Sequence, residues 1–354
     1  MTRSEIKAHT GLRGLAAFNV MLGHIGMDYF FPGIHLLPYY FLFGNQAVDL
    51  FFMLSGFILC YSYYPAFIDP AKKFKWWDFF VARFARIYPL FLITLFIVGA
   101  MAWVALRHGA ITGEYNLRQF VSQILLLSSA PWIGVDRPWN YPSWSISVEW
   151  LCYLGCFPLI MYGLRRVGVR MAVVLIVVLL VPLTLYLFHI QQPHAMGFEP
   201  LIRGACGFSV GGLIFVLFSF APRITSIARR STDVFFVLAL LGSAVGRQFG
   251  YECWFLLLLW PVIVLGSIEP GTITYRVTTS KIALFLGNTS YSIYLLHAIF
   301  GKALNASIMR HDMSQPKRAL LGIVVISTVI LTAHLSYRFF EMPARKFLRD
   351  KLAT

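Results

Sequence analysis

Residues 171–189 read MAVVLIVVLLVPLTLYLFH and contain no Asp, Glu, Lys or Arg. A helix needs about 20 mainly apolar residues to cross the hydrocarbon core of a bilayer, so this stretch predicts a membrane-spanning helix. Comparable stretches lie on both sides of it along the chain. The ten predicted spans are residues 12–31, 43–64, 84–106, 143–163, 171–189, 200–219, 233–249, 251–268, 283–304 and 319–340.

The composition indicates the same class of protein. Of the 354 residues, 58% are apolar or aromatic and 13% are charged, whereas a soluble domain has about 45–50% and about 25%. The net charge of +15 could indicate a nucleic-acid partner, but Lys and Arg lie in short clusters between apolar runs and form no basic face. We therefore expect one all-α domain over residues 1–354, a polytopic transmembrane bundle without a nucleic-acid site.

The positive charges also predict an orientation, because Lys and Arg are retained on the cytoplasmic side of a membrane. With ten spans, most of the 30 Lys and Arg residues, from Arg3 to Lys351, fall in segments on the same side as the N-terminus. Both termini are therefore predicted to be cytoplasmic. The first apolar run is long and lacks a small-residue cleavage site, so we expect it to be an uncleaved span.

The first span carries two ionisable side chains, Arg13 and His24. Their separation corresponds to about three helical turns, so both lie on one helix face, about 16 Å apart along the axis. Ionisable groups inside spans are costly and by default mark function. A helix–helix contact with a hydrogen-bonded histidine is the alternative explanation.

Two carboxylates are predicted at the depth of His24. Asp49 lies about two turns into span two, and Glu149 lies about 9 Å below the start of span four. We therefore expect His24, Asp49 and Glu149 in one layer of the bilayer, where an acidic group needs a partner. Ser55 and Gly56 lie deeper in span two and are explained more simply by close helix packing.

Other polar side chains in the predicted spans fit either a structural or a functional role. Ser290, Tyr294 and His297 form one stripe on span nine, and Arg203 enters span six from the outside. Trp144 suits the aromatic belt at a membrane interface. The cysteines and histidines have no metal-ligand spacing, so we expect no metal site.

Three arginines, Arg13, Arg83 and Arg86, are predicted at the cytoplasmic side. Guanidinium groups match the geometry of phosphates, so this cluster could bind a phosphorylated ligand. Anchoring by lipid headgroups under the positive-inside rule explains the same cluster equally well.

Taken in order, six segments resemble the acyltransferase 3 family of integral membrane acyltransferases. They are Arg13-x10-His24, Val48-Asp49-Leu-Phe-Phe-x-Leu-Ser55-Gly56-Phe57, Arg83-x-x-Arg86-Ile-x-Pro89, Trp144-Ser-x-Ser-x-Glu149, Leu286-Gly-x-x-Ser-Tyr-Ser-x-Tyr-Leu-x-His297 and Arg338-x-x-Glu341-x-Pro343. Together they cover nearly the whole chain. One departure is Ala82, where many members have a second arginine directly before Arg83.

The resemblance implies an enzyme that takes an acyl group, usually acetyl, from cytoplasmic acyl-CoA. The usual acceptor is a hydroxyl of a surface glycan or glycolipid, such as exopolysaccharide or O-antigen. It also implies a multi-pass protein of the bacterial inner (cytoplasmic) membrane, with acetyl-CoA as co-substrate and no tightly bound cofactor. We expect a stand-alone domain without the C-terminal esterase-like extension that some members carry.

The resemblance further implies that His24 is essential. Histidine titrates near neutral pH, so we expect His24 to act as general base, with Glu149 or Asp49 orienting it. The three arginines are expected to hold the donor phosphates by charge-assisted bonds. Side chains expected at the acceptor side or pore are Ser55, Trp144, Ser145, Arg203, Tyr291, Tyr294 and His297. Direct transfer and a transient acyl-histidine both stay open.

Two other classes of function fit part of the pattern. A transporter also buries Arg, His, Asp and Glu, as a proton relay or substrate site. Transporters often have paired halves and helices broken at the midplane, and the sequence indicates neither. A structural scaffold for a glycan assembly complex would leave the polar layer unexplained. The order of preference is enzyme, transporter, scaffold.

Overall fold

The computed structural model describes residues 5–25, 30, 45–72, 74–108, 115–133, 138–191, 197–249, 252–307 and 313–353. Within these ranges every regular element is a helix and no strand occurs, so the predicted all-α class is confirmed. The helices are α1 (Lys7–Ile25), α2 (Gln46–Ile68), α3 (Trp76–Arg107), α4 (Leu117–Ile124), α5 (Ser143–Leu151), α6 (Phe157–Gly163), α7 (Val169–Ile190), α8 (Phe198–Phe220), α9 (Pro222–Gln248), α10 (Leu256–Gly266), α11 (Ile273–Thr278), α12 (Lys281–Asn288), α13 (Ser290–Ser307), α14 (Gln315–Ser336) and α15 (Met342–Leu352). Two π-helical turns, Cys152–Cys156 and Tyr337–Glu341, join α5 to α6 and α14 to α15.

Six continuous helical stretches in the described part of the chain are long and apolar enough to cross a membrane. They are Gln46–Ile68, Trp76–Arg107, Ser143–Gly163, Val169–Ile190, Phe198–Phe220 and Gln315–Leu352. The pair α12–α13 adds a seventh if its two bent halves form one span. The six stretches agree with predicted spans two to six and ten, and the bent pair covers predicted span nine. The full count of ten stays a prediction.

The remaining predicted spans differ from the helices. α1 begins at Lys7, before the predicted start at residue 12, and its polar residues keep it out of the apolar set. Residues 26–29 and 31 of that span lie outside the described residues, as does Arg3. α9 begins at Pro222 instead of residue 233. α10 has 11 residues, which span about 17 Å, too little for a hydrocarbon core of about 30 Å.

Predicted span nine is broken, although the sequence indicated no broken helix. α12 and α13 meet at Thr289 and are bent by 70°. The bend brings Gly287 against α1, where an added Cβ would lie 2.1 Å from the Thr10 carbonyl oxygen. At the end of a helix, backbone carbonyls lack helical partners. Here Arg13 Nη2 donates to the Gly287 carbonyl at 3.3 Å, so α1 binds the break directly.

α2 and α8 pack closely through glycine. A Cβ on Gly56 would lie 2.0 Å from the Phe208 carbonyl oxygen, and one on Gly211 would lie 2.1 Å from the Met53 carbonyl oxygen. Small residues let membrane helices approach to backbone contact. The packing role predicted for Gly56 is confirmed, and the contact aligns Asp49 on α2 with Arg203 on α8.

Candidate functional site

A cavity of about 730 Å³ lies where the two described ends of the chain meet, since Ile6 and Ala353 both line it. The two ends therefore lie on one side of the bundle; that this side is cytoplasmic stays a prediction. Six cationic and three acidic side chains line the cavity: Arg13, Lys75, Arg83, Arg86, Arg345 and Arg349 against Glu5, Asp78 and Glu341. We call it the basic cavity.

A second cavity, of about 110 Å³, adjoins the first deeper in the bundle. The residues that line both cavities are Arg13, Ile58, Leu59, Arg83, Arg86, Ser290 and Tyr291. The walls of this inner cavity are mostly apolar, with Ser55, Ser145 and Glu149 among its polar groups. A charged opening thus continues into an apolar chamber between α1, α2, α3, α5 and α13.

The three arginines singled out from the sequence come together at the boundary of the two cavities. Arg13 Nε donates to Ser290 Oγ at 3.1 Å, and Arg83 Nη2 donates to Tyr63 OH at 3.2 Å. Arg83 Nε is buried without a hydrogen-bond partner in the described structure, and so is Nε of Arg345. Both guanidinium groups line the basic cavity and are therefore placed to attract an anionic ligand.

Glu149 lies at the wall of the inner cavity. Its Oε1 accepts hydrogen bonds from Ser55 Oγ at 2.8 Å and from Tyr153 OH at 2.5 Å. Ser55 therefore does more than the predicted helix packing, which its neighbour Gly56 performs. Sequence reasoning missed Tyr153, although it lies four residues after Glu149 and hence on the same face of the helix.

Asp49 forms a buried bidentate ion pair with Arg203. Arg203 Nε lies 3.1 Å from Oδ1 and Nη2 lies 2.7 Å from Oδ2, and both side chains are about 2–3% exposed. The guanidinium also lies 5.6 Å from the Trp144 ring centroid and 5.2 Å from that of Trp254. Both carboxylate oxygens are thus occupied, and neither Asp49 nor Arg203 lines the two cavities.

Among the described residues, the hydrogen-bond partner of His24 is a second histidine. His24 Nδ1 lies 2.8 Å from His297 Nε2, and the His24 ring meets the Tyr141 ring edge-on at 5.3 Å. The predicted pairing of His24 with Asp49 or Glu149 is not what the structure shows: Asp49 is bonded to Arg203, and Glu149 lines the inner cavity, which His24 does not. His24 is exposed and lies outside both cavities.

Tyr294 lies between the inner cavity and the histidine pair. It lines the cavity, its hydroxyl lies 2.7 Å from Ser145 Oγ, and its ring lies 6.0 Å from that of His297. The polar stripe predicted on span nine therefore leads from the inner cavity towards His24. Tyr291 begins the same path, with its hydroxyl donating to the Ile87 carbonyl at 2.5 Å.

In a comparison with known proteins, a family model matches nearly the whole chain. The model of a domain described as an acyltransferase domain (Acyl_transf_3) matches residues 7–337. "Acyltransferase MdmB" of Streptomyces mycarofaciens is 37% identical over 166 residues, which cover 46% of this chain and 40% of that protein. "Putative O-acetyltransferase SACOL0978" of Staphylococcus aureus (strain COL) is 22% identical over 363 aligned positions, which cover 95% of this chain and 56% of that protein. The chain thus spans about half the length of these relatives. No solved structure matches it significantly.

The ion pair of Asp49 and Arg203 is expected to stabilise the fold. Asp49→Ala leaves a buried guanidinium unpaired, which costs about 3–5 kcal/mol. We expect a lower melting temperature of the detergent-solubilised protein. The double variant Asp49→Leu/Arg203→Met removes both charges and should recover most of that loss, because apolar replacement of a buried pair is often neutral. Wild-type stability of Asp49→Ala would contradict a structural role for the pair.

Proposed function

The chain belongs to the acyltransferase 3 family, and from that premise we propose that it is a membrane O-acetyltransferase. It takes an acetyl group from cytoplasmic acyl-CoA and transfers it to a hydroxyl of a cell-surface glycan such as exopolysaccharide or O-antigen. Its apolar helices make it an integral membrane protein, and we place it in the bacterial inner membrane. The observation that carries the proposal is the continuity between the basic cavity and the inner cavity.

The donor suits this pair of cavities. The phosphates of acyl-CoA need cations, and Arg83, Arg86 and Arg345 all line the basic cavity. The guanidinium groups of Arg83 and Arg345 in this lining supply charge-assisted bonds to those phosphates. The pantetheine arm then enters the inner cavity past Tyr291 and carries the thioester towards Tyr294.

The chemistry needs a base at the acceptor hydroxyl. His24 takes the hydroxyl proton while the oxygen attacks the thioester carbonyl carbon, so that a C–O bond forms and the C–S bond breaks. The proton then passes from His24 to the departing thiolate, which leaves as CoA thiol. In the alternative route, a ring nitrogen of His24 attacks the thioester carbonyl carbon first and releases the CoA thiolate. The transient acyl-histidine then passes the acyl group to the acceptor hydroxyl. The thioester reaches His24 by passing Tyr294, which separates the inner cavity from the histidine pair.

The acceptor approaches from the other end of this path. His24 is exposed beside Tyr141, and His297 behind it is buried. An exposed base with a buried partner suits an acceptor too large to enter the bundle, such as a glycan. Of the remaining predicted acceptor residues, Ser145 and Tyr294 are bonded to each other on this path. Arg203 belongs to the buried ion pair instead, and Trp144 packs against its guanidinium.

One observation favours the transporter alternative. The break between α12 and α13 at Thr289 resembles the discontinuous helices at which transporters bind their substrates. In this chain, however, the break is occupied by Arg13 of α1, which bonds to Gly287 and Ser290 on its two sides. Arg13 also lines both cavities, where an acyltransferase would need a cation between the donor phosphates and the acyl group. We therefore rank the transporter second.

The overall proposal predicts that purified protein in vesicles releases CoA from acetyl-CoA only when a glycan acceptor is present. Deleting the gene should remove an acetyl mass from surface glycans, as measured by mass spectrometry. Glycan or solute flux across the vesicle membrane without acetyl-CoA, and without CoA release, would establish the transporter instead.

Because His24 is the proposed general base, His24→Ala should lower the rate of acetyl transfer by about 10²–10⁴-fold, the usual contribution of such a base. CoA release by purified protein measures the effect. His189→Ala, at the exposed end of α7, is the matched control and should keep wild-type activity. Normal turnover by a correctly inserted His24→Ala protein would overturn this assignment.

The donor site predicts a separate effect on binding. Each bond from a charged donor contributes about 1.5–3 kcal/mol, so Arg86→Ala should weaken acetyl-CoA binding by about tenfold to a hundredfold. Arg13→Ala should do the same and also loosen the α12–α13 break. Calorimetry in detergent measures the affinity. Arg230→Ala, exposed on α9, is the control for loss of a positive charge. Unchanged affinity in Arg86→Ala would return these arginines to the role of membrane anchors.

A further inference from the structure

The protonation of His297 follows from its contact with the backbone. His297 is fully buried, and its Nδ1 lies 2.9 Å from the carbonyl oxygen of Ile293, one turn earlier in α13. A carbonyl oxygen only accepts hydrogen bonds, so Nδ1 of His297 carries a proton. In a neutral imidazole the other nitrogen is then an acceptor. Nε2 of His297 therefore presents a lone pair.

That lone pair is directed at His24. Nε2 of His297 lies 2.8 Å from Nδ1 of His24, so Nδ1 of His24 has to supply the proton of this bond. The remaining nitrogen of a neutral His24, Nε2, then carries the free lone pair. The two rings are nearly parallel, at 22° with centroids 5.1 Å apart, and Tyr141 meets His24 edge-on at 80°. The ring of His24 is thus held from two sides.

We propose that His297 is a positioning residue that sets the tautomer of His24 and makes Nε2 of His24 the base of the transfer reaction. This inference rests on the proposed function. It assigns to a neutral histidine the orienting role that carboxylates perform in many other base–orienter pairs. The two carboxylates predicted for that role are bonded elsewhere: Asp49 to Arg203, and Glu149 to Ser55 and Tyr153 at the wall of the inner cavity.

The arrangement determines the path of the proton. Nε2 of His24 takes the proton of the acceptor hydroxyl as the C–O bond forms, and returns it to the thiolate as the C–S bond breaks. Nδ1–H of His24 stays bonded to His297 throughout. Among the described residues no carboxylate is bonded to His24. His297 therefore contributes by orientation and tautomer selection, and we expect its loss to lower kcat.

Two substitutions of His297 test the proposal. His297→Leu removes the acceptor and should lower kcat by about 10²-fold or more while the KM for acetyl-CoA stays within about twofold, because the basic cavity is untouched. His297→Gln can place its Oε1 near the same position and should recover at least about tenfold of that loss. His189→Leu, on the exposed end of α7, is the control and should keep wild-type kcat. Equal activity of His297→Leu and wild type would overturn the proposal, as would an equal loss in the Leu and Gln variants.

A measurement on the unaltered protein covers the case in which the variants fail to fold. Solid-state NMR of protein labelled with ¹⁵N-histidine detects the pair through the nitrogen–nitrogen coupling across the 2.8 Å bond. The donor is expected to be an Nδ1 and the acceptor an Nε2, and the opposite assignment would overturn the proposal. The proposed function fails separately, if wild-type protein transfers no acetyl group to any glycan acceptor, and the tautomer result does not depend on that outcome.

Discussion

The backbone contact between α1 and the broken pair α12–α13 is the constraint on which the rest of the site depends. Gly14 and Gly287 leave no room for a Cβ, since one on Gly14 would lie 2.3 Å from the Gly287 nitrogen. That approach places Arg13 on the break. It also sets the rest of α1 against α13, so that His24 meets His297 farther along. One helix–helix contact therefore positions both ends of the proposed reaction path.

Asp49 and Glu149, the two carboxylates predicted in one layer, each have their own local partners, as the high cost of charge in an apolar medium requires. The pair Asp49–Arg203 neutralises itself and ties α2 to α8. Glu149 is held by hydroxyl groups at a cavity wall, where a substrate can reach it. This difference separates a carboxylate that stabilises the bundle from one that is available to chemistry. Equal depth in the membrane did not distinguish them.

The charge distribution around the two cavities matches the proposed nucleotide-bearing donor. Cations collect at one end, and the chamber beyond them is mainly apolar with a few hydroxyl groups. A phosphate-rich head and a thin, largely neutral arm match that gradient. The histidine pair lies beyond Tyr294, on the side open to an acceptor. Donor and acceptor would thus reach the base from different directions.

The sequence alone determined the helical membrane class, the family resemblance and the three arginines that converge at the cavities, because apolar run length and motif order are local properties of the chain. It also placed Tyr294 and His297 on one stripe, since helical periodicity is local too. Only the tertiary structure decided which groups pair. Asp49 meets Arg203 because glycines bring α2 and α8 together, and His24 meets His297 because α1 crosses the break at Thr289. Depth along a helix is readable from residue spacing, whereas the rotation and contact of neighbouring helices depend on packing across the whole bundle.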